Sequence, residues 1–366
     1  MRIAYLANVR IPTERAYGLQ IMKTCEALAN AGADVTLVTP FRRNTLTDEA
    51  FSYYNVSPVF RLLTLRTPDL VSFGPLGFLL STFFFAEAAR WKKEFFEADL
   101  VYSRDALVLI QYVLLQKPFV FEAHAKPSFA SRVVAKKARN VVVISNGLRR
   151  AYEAAGIPPE RITVAPDAVD EHLFDGVPDR FAARIALKLP SEASIVVYAG
   201  HLYPRKGAVT LARAATHLSG IEIVFVGGTS TDIAAFKKEW GVQKNIRIVG
   251  HVPHAQVAWY LRAADVLVLP NSGKDTDSAE FTSPMKLFEY MASGTPIVAS
   301  DVLSLREVLN DGTAMLVSPD DAQALAEAVS GALSNREAMG EKAEKALARV
   351  KDYTWTERAK RILTTC

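Results

Sequence analysis

Two adjacent cations, Arg205 and Lys206, stand in the run Ala199-Gly200-His201-Leu202-Tyr203-Pro204-Arg205-Lys206-Gly207. The run follows an apolar stretch that reads as a strand and opens one that reads as a helix. Cations beside the free backbone N–H groups of a helix N-terminus make an anion site. The plain alternative is a surface turn with solvated charges. A second run, 280–299, carries Glu280, Thr282, Ser283, Pro284, Met285, Lys286 and Glu289. Ser283 and Pro284 read as an N-cap and a first-turn proline, and Gly294 as the helix stop. Glu289, about a turn and a half into that helix, offers a carboxylate that accepts two hydroxyls, as a ribose diol presents them. The plain alternative pairs Glu289 with Lys286 and leaves Glu280 in solvent. A third run, Phe119-Val120-Phe121-Glu122-Ala123-His124-Ala125, puts a lone histidine just past a strand's carboxyl end. A lone histidine is more often structural; the position at a ligand-binding edge argues for function.

Together these residues describe a site for a sugar nucleotide. Arg205, Lys206 and two helix N-termini meet the diphosphate, Glu289 holds the ribose, and His124 reaches across from another domain. No cluster of Asp, His or Cys reads as a metal site, and the acids of 274–277 stand in a polar loop without ligand partners. Fixed cations replace a metal in stabilising a leaving diphosphate. Other cofactor classes fit poorly. The first strand-to-helix turn, 8–18, lacks Gly-x-Gly-x-x-Gly, Gly227-Gly228 lacks the third glycine, and no Walker A run is present. A dehydrogenase and a P-loop kinase are therefore not expected.

The elements that must position these residues alternate. β-rich runs at 2–7, 35–39, 100–102, 119–122, 141–144 and 162–165 are separated by helical periodicity, clearest at 17–31 and 105–116. After a break the alternation restarts, with strands at 195–198, 221–226, 246–249, 266–269, 296–299 and 315–317. Short apolar strands alternating with helices predict α/β units with parallel sheets covered on both faces. The expected organisation is a first domain at 1–175, a linker at 176–192 with one short helix, a second domain at 193–350 and a last helical segment at 351–366. Doubly wound sheets bind ligands at the carboxyl ends of their strands, so the expected site is the cleft between the two domains.

The 366 residues are half hydrophobic and a tenth aromatic, which excludes a disordered chain. A net charge of +4 does not suggest a nucleic-acid binder. The two cysteines, Cys25 and Cys366, give neither a disulfide framework nor a metal site. The opening residues read as a strand rather than a signal peptide, so a reducing cytoplasmic compartment is expected. The most membrane-like run, 76–86, falls short of the roughly 20 apolar residues a bilayer needs. It reads first as a buried core helix, and second as an interfacial helix with Arg90, Trp91, Lys92 and Lys93 at headgroup level.

The chain resembles the retaining glycosyltransferases of family 4, which have the GT-B fold of two Rossmann-like doubly wound domains facing a cleft. The resemblance rests on 17–39 as the glycine loop, first helix and second strand. It rests also on Val143-Ile144-Ser145-Asn146 with 156–162 and 166–170, and above all on Ser283-Pro284, 286–292 and 294–300. It implies that Gly18 lets backbone approach the donor phosphates or the acceptor, and that His124 contacts the transferred sugar. It also implies that Arg205 and Lys206 bind the diphosphate and Glu289 the ribose. Gly250, His251 and Val252 hold the base through backbone, and Thr282, Ser283 and Met285 belong to the donor-binding segment. The family retains anomeric configuration, needs no obligatory metal or cofactor, and packs its last helix, here near 355–363, on the first domain.

This chain departs from the pattern in three places. The family's two glutamates have seven residues between them, which counts back from Glu289 to Phe281, so Glu280 lies one residue too far. A one-residue insertion or a different loop path would bring Glu280 to the sugar, as a fourth catalytic residue beside His124, Arg205 and Lys206. The usual Gly-Arg reads Gly200-His201, with Arg205 as the compensating cation. The usual Asn-Gly of a turn beside the cleft reads Asp167-Ala168. The expected activity is transfer of a hexose from a UDP- or GDP-linked donor to a hydroxyl of a glycan, a lipid-linked or a small-molecule acceptor, in cell-surface glycan or glycolipid synthesis. The competing readings are a sugar-nucleotide 2-epimerase of the same fold and a non-catalytic nucleotide-sugar-binding subunit.

Overall fold

The computed structural model describes residues 1–366 except Leu114, Gln116 and Cys366. The chain forms two compact units: 1–167 together with the closing helix Trp355–Leu363, and Ala168–Thr354. The first unit holds β1 (Arg2–Leu6), β2 (Asp34–Pro40), β3 (Arg61–Leu65), β4 (Leu100–Ser103), β5 (Phe119–Ala123), β6 (Asn140–Val143) and β7 (Ile162–Val164). They make one parallel sheet in the order β3-β2-β1-β4-β5-β6-β7. The second unit holds β8 (Ser194–Ala199), β9 (Ile221–Val226), β10 (Ile246–Gly250), β11 (Val266–Leu269), β12 (Ile297–Ser300) and β13 (Met315–Val317). Their order is β10-β9-β8-β11-β12-β13, again all parallel. The strand order of each sheet reverses once, between β1 and β4 and between β8 and β11, and ligands bind at such switch points in doubly wound folds.

The central strands need no polar alternation because helices cover both faces. Ile3 to Leu6 in β1 and Ile195 to Val197 in β8 are fully buried, each large side chain contributing about 1.5–3 kcal/mol. β3 escaped the sequence pattern because it is an edge strand. Of its five residues only Leu65 is buried, so the apolar signal is diluted.

Three expectations change. The segment 176–192 is part of the second unit: its helix Arg180–Ala186 buries Ala183, and Arg184 pairs with Asp265 at 2.6 Å and donates to the carbonyls of Ala263, Ser191 and Ala193. The helix expected at 105–116 is short, Ala106–Leu109, followed by a 3₁₀ turn at Ile110–Tyr112. β-branched Val108 and Ile110 favour helix weakly, and the expected end of this helix falls outside the described residues. Third, the apolar helix Gly74–Arg90 is not a buried core helix. It buries one stripe (Gly77, Ser81, Thr82, Phe85, Ala86, Ala89) and exposes Phe73, Leu76, Leu79, Leu80, Phe83 and Phe84. With the preceding turn, the helical run Val71–Arg90 reaches 20 residues, long and apolar enough to cross a membrane by length and composition.

Candidate active site

The chemistry of the second unit gathers where β8 and β11 end. After β8 the chain passes through Gly200 and turns at Pro204–Lys206 into the helix Ala208–Ala215. Gly207 has φ +78° and lies so close to the Pro270 carbonyl that a Cβ would overlap it, so only glycine fits. The turn is tied to the segment after β11: Ser272 N–H and Ser278 Oγ both donate to the Arg205 carbonyl, at 3.3 and 3.2 Å. Arg205 is exposed, with its guanidinium over the Tyr203 ring, and His201 stacks on the same ring.

The second helix of the site is Met285–Ser293. Pro284, not Ser283, occupies its N-cap and makes no side-chain cap; Leu287 N–H bonds to the Pro284 carbonyl instead. Tyr290 Oη accepts from Ala199 N–H at 2.7 Å, which pins the helix to the end of β8. This register puts Lys286 against Gly200: its Nζ lies 4.0 Å from the Tyr198 ring centroid and 3.7 Å from where a Gly200 Cβ would stand. The amine nitrogen is enclosed and has no hydrogen-bond partner. Burial pushes it well below the usual lysine range, Lys206 pushes further, and Glu289 opposes. The alternative pairing of Glu289 with Lys286 is thus not formed.

Glu289 is buried and meets His254 Nε2 at 2.7 Å through Oε1. His254 opens the helix His254–Ala263 just after Gly250, His251 and Val252. Sequence reasoning missed it; its signal was only its place beyond a strand's carboxyl end. Gly250 has φ +91°, and its carbonyl accepts from Gly227 N–H at 2.7 Å. Glu280 lies half-buried in a π-helical turn, Asp277–Phe281. A π turn is one residue wider than an α turn. Ser278 in this turn reaches the Arg205 carbonyl, so the Glu280 segment and the cationic turn are stitched together.

In the first unit His124 follows β5 and is 18% exposed. Its Nε2 meets Glu122 Oε1 at 2.6 Å. Glu122 is fully buried and also accepts from Gln20, Tyr102 and Arg358, the last at 2.7 Å from the closing helix. Burial alone would raise the Glu122 carboxyl, but Arg358 and His124 hold it well below the usual carboxylate range. Burial, with help from Arg104, pushes His124 down to about 4. The imidazole is therefore held in its neutral form at pH 7. Gly18 is packed against the chain itself. It lies inside the helix Ala16–Asn30, and a Cβ there would overlap the Tyr54 hydroxyl, which bonds to Thr13 N–H and carbonyl. Its bareness serves the chain's own packing.

Both sheets and their switch-point sites belong to the GT-B fold. A sucrose-phosphate synthase from Thermosynechococcus elongatus matches with a TM-score of 0.80 at 22% identity, over 99% of this chain and 97% of that one. HepE from Anabaena, solved with UDP, matches with a TM-score of 0.74 at 18% identity, over 100% and 99%. The model described as Glycosyltransferase Family 4 matches residues 19–173, and that described as Glycosyl transferases group 1 matches 193–335. The chain belongs to this family of glycosyltransferases. D-inositol 3-phosphate glycosyltransferases are similar: that of Streptosporangium roseum is 26% identical over 81% of this chain and 71% of its own length, and that of Nocardia farcinica 25% identical over 75% and 61%.

Proposed function

We propose that this protein transfers a hexosyl group from a UDP- or GDP-linked sugar to a hydroxyl with retention of anomeric configuration, in cell-surface glycan or glycolipid synthesis. The observation that carries the reading is the Lys286 amine, in the first turn of the helix Met285–Ser293, enclosed without a hydrogen-bond partner beside Lys206 and Gly200. Among the described residues the Lys286 amine meets no hydrogen-bond acceptor, and a diphosphate would supply one. The acceptor oxygen bonds to the anomeric carbon as the carbon–oxygen bond to the diphosphate breaks. The electron pair leaves with the nucleoside diphosphate, whose phosphate oxygen takes the acceptor's proton. Arg205, Lys206 and Lys286 stabilise that departing charge, so no metal or cofactor is needed. Glu280 is assigned to the sugar, with Thr282, Ser283 and Met285 beside it.

The test is a panel of nucleotide sugars and acceptors, run with and without a chelator. Transfer that survives EDTA supports the reading. Product from donor alone points to epimerisation, and complete loss in EDTA restored by a divalent cation contradicts it. Glu289→Ala is expected to weaken binding of the preferred nucleoside diphosphate, because two hydrogen bonds to a charged carboxylate are lost, at about 1.5–3 kcal/mol each. Calorimetry reading an unchanged affinity would remove Glu289 from the site.

The acceptor is assigned to a membrane surface, at the cytoplasmic face. Phe73 and Leu76 are 76% and 70% exposed, and with Leu79, Leu80, Phe83 and Phe84 they form one apolar face of the helix Gly74–Arg90. Arg90, Lys92 and Lys93 stand at its end. The opposite stripe packs on the first unit, with Asn8 Nδ2 donating to Thr82 Oγ1 at 2.7 Å, which supports a helix lying on a bilayer over one crossing it. Binding to anionic vesicles is expected at low salt, at about 1 kcal/mol per basic residue near the surface, weakened by high salt and by Leu76→Ser with Phe83→Ser. Absence of binding at low salt, or light scattering that finds this face covered by a second copy, would leave a soluble acceptor.

A further inference from the structure

At the other switch point, where β1 and β4 end, the first unit holds a cavity of about 800 Å³. That volume suits a small-molecule group rather than a flat docking surface. Five arginines line it, Arg10, Arg15, Arg42, Arg43 and Arg104, against three carboxylates, so two positive charges are in surplus. The carboxylates are largely engaged. Glu14 pairs with Arg10 at 2.5 Å, and Asp105 Oδ1 accepts from Leu107 and Val108 N–H at the start of a helix. Asp69 approaches Arg42 only to 3.9 Å. Among the described residues Arg15, Arg43 and Arg104 form no ion pair; Arg104 donates instead to Gln20 Oε1 at 2.9 Å.

Arg42 shows that this is a built feature rather than a fringe of solvated charge. Its side chain is only 12% exposed. One guanidinium nitrogen donates to Asn8 Oδ1 at 2.7 Å, and its enclosed Nε meets no acceptor at all. Burying a guanidinium with an idle donor is costly unless an anion completes it. The planar fork of arginine matches the paired oxygens of a phosphate.

We infer that this cavity binds a phosphate group carried by the acceptor, so that the transferase acts on a hydroxyl of a phosphate ester. The inference rests on the reading of the chain as a glycosyltransferase and names the class of its second substrate. Two surplus cations balance a phosphate monoester dianion. Val71 and Phe78, from the same helical run that exposes the apolar face, also line the cavity. The ester therefore comes from one of two sources, a soluble phosphorylated polyol or the headgroup of a membrane lipid.

The experiment uses the full chain and two probes, glycerol 3-phosphate against glycerol, and vesicles of phosphatidylcholine with or without phosphatidic acid. Saturable binding of glycerol 3-phosphate but not glycerol is expected. Arg15→Gln with Arg43→Gln, both exposed and unpaired, is expected to weaken binding by about tenfold or more, the loss that follows when a charge-assisted contact to phosphate is removed. Arg42→Gln serves as a second variant. Arginine-dependent binding confined to phosphatidic acid vesicles supports the proposal with the lipid as source; dependence with both probes assigns it to the phosphate itself. Absence of arginine-dependent binding with either probe overturns it. Calorimetry of the unsubstituted protein with the nucleoside diphosphate, whose proposed contacts lie in the other unit, separates the two readings: nucleotide binding without arginine-dependent phosphate binding fails the cavity alone, whereas phosphate binding without any nucleotide binding fails the transferase reading alone.

Discussion

Lys206→Ala is expected to lower the rate of transfer by about 100-fold or more while leaving the fold intact. The side chain stands on a 3₁₀ turn at the end of β8, whose geometry is held by Gly207 against Pro270 and by two hydrogen bonds to the Arg205 carbonyl. None of these needs the lysine side chain. A preorganised charge on the departing group is worth about 2.7–4 kcal/mol in the transition state. Lys286→Met sharpens the result because it separates function from stability. The Lys286 amine is enclosed without a partner, so its replacement by an apolar side chain of similar length removes a desolvation cost from the ligand-free protein. The variant is expected to be at least as stable as wild type yet to bind nucleoside diphosphate more weakly. Lysine held below its usual range makes the ligand-free fold gain stability as pH rises toward the unfolded value, where the unfolded chain loses its proton too. Lys286→Met should flatten that rise. Turnover within a few-fold of wild type for Lys206→Ala, or lost stability with unchanged nucleotide affinity for Lys286→Met, would sink the diphosphate assignment.

Arg358→Met is expected to destabilise the first unit by about 3–5 kcal/mol, the usual consequence of leaving a buried charge uncompensated. Arg358 reaches from the closing helix to Glu122 Oε1 at 2.7 Å, to Thr24 Oγ1 at 3.1 Å and to the Pro166 carbonyl at 3.1 Å. Glu122 is fully buried, so no water replaces the guanidinium. Adding Glu122→Gln should recover part of the loss, since the stranded carboxylate goes with it. Urea unfolding of the single and the double variant measures this, and a loss under about 1 kcal/mol for Arg358→Met would show the pair to be dispensable. Acid weakens the same cluster twice. The Glu122 carboxyl is depressed in the fold, so its contribution is present above the unfolded carboxylate value and is lost as pH falls toward the folded one. His124 is depressed to about 4, so between about 6.5 and 4 the unfolded chain takes a proton that the fold refuses. Stability should therefore fall across that window, and His124→Gln should remove part of the slope.

The alternation of apolar strands and helices settled the architecture from sequence, because parallel strands covered on both faces leave long buried runs that no other fold class needs. The cationic turn at Arg205-Lys206 and the helix from Met285 were legible for a local reason: a glycine, a proline and the charges lie within a few residues of one another. The partners of those residues were not legible. His254 meets Glu289 across 35 positions and Arg358 meets Glu122 across 236, and neither stands in a motif. Lys286 was visible as a charge, but the local reading paired it with the glutamate one turn on. Only the register of its helix on β8, fixed by Tyr290 and Ala199, shows the amine enclosed over Tyr198. Composition gave the helix Gly74–Arg90 its apolar character, yet which face it buries depends on where Asn8 and Thr82 meet. Side-chain period and turn chemistry are local properties that the sequence carries in full. Burial and charge pairing depend on which distant segments the sheets bring together, and the tertiary structure alone decides that.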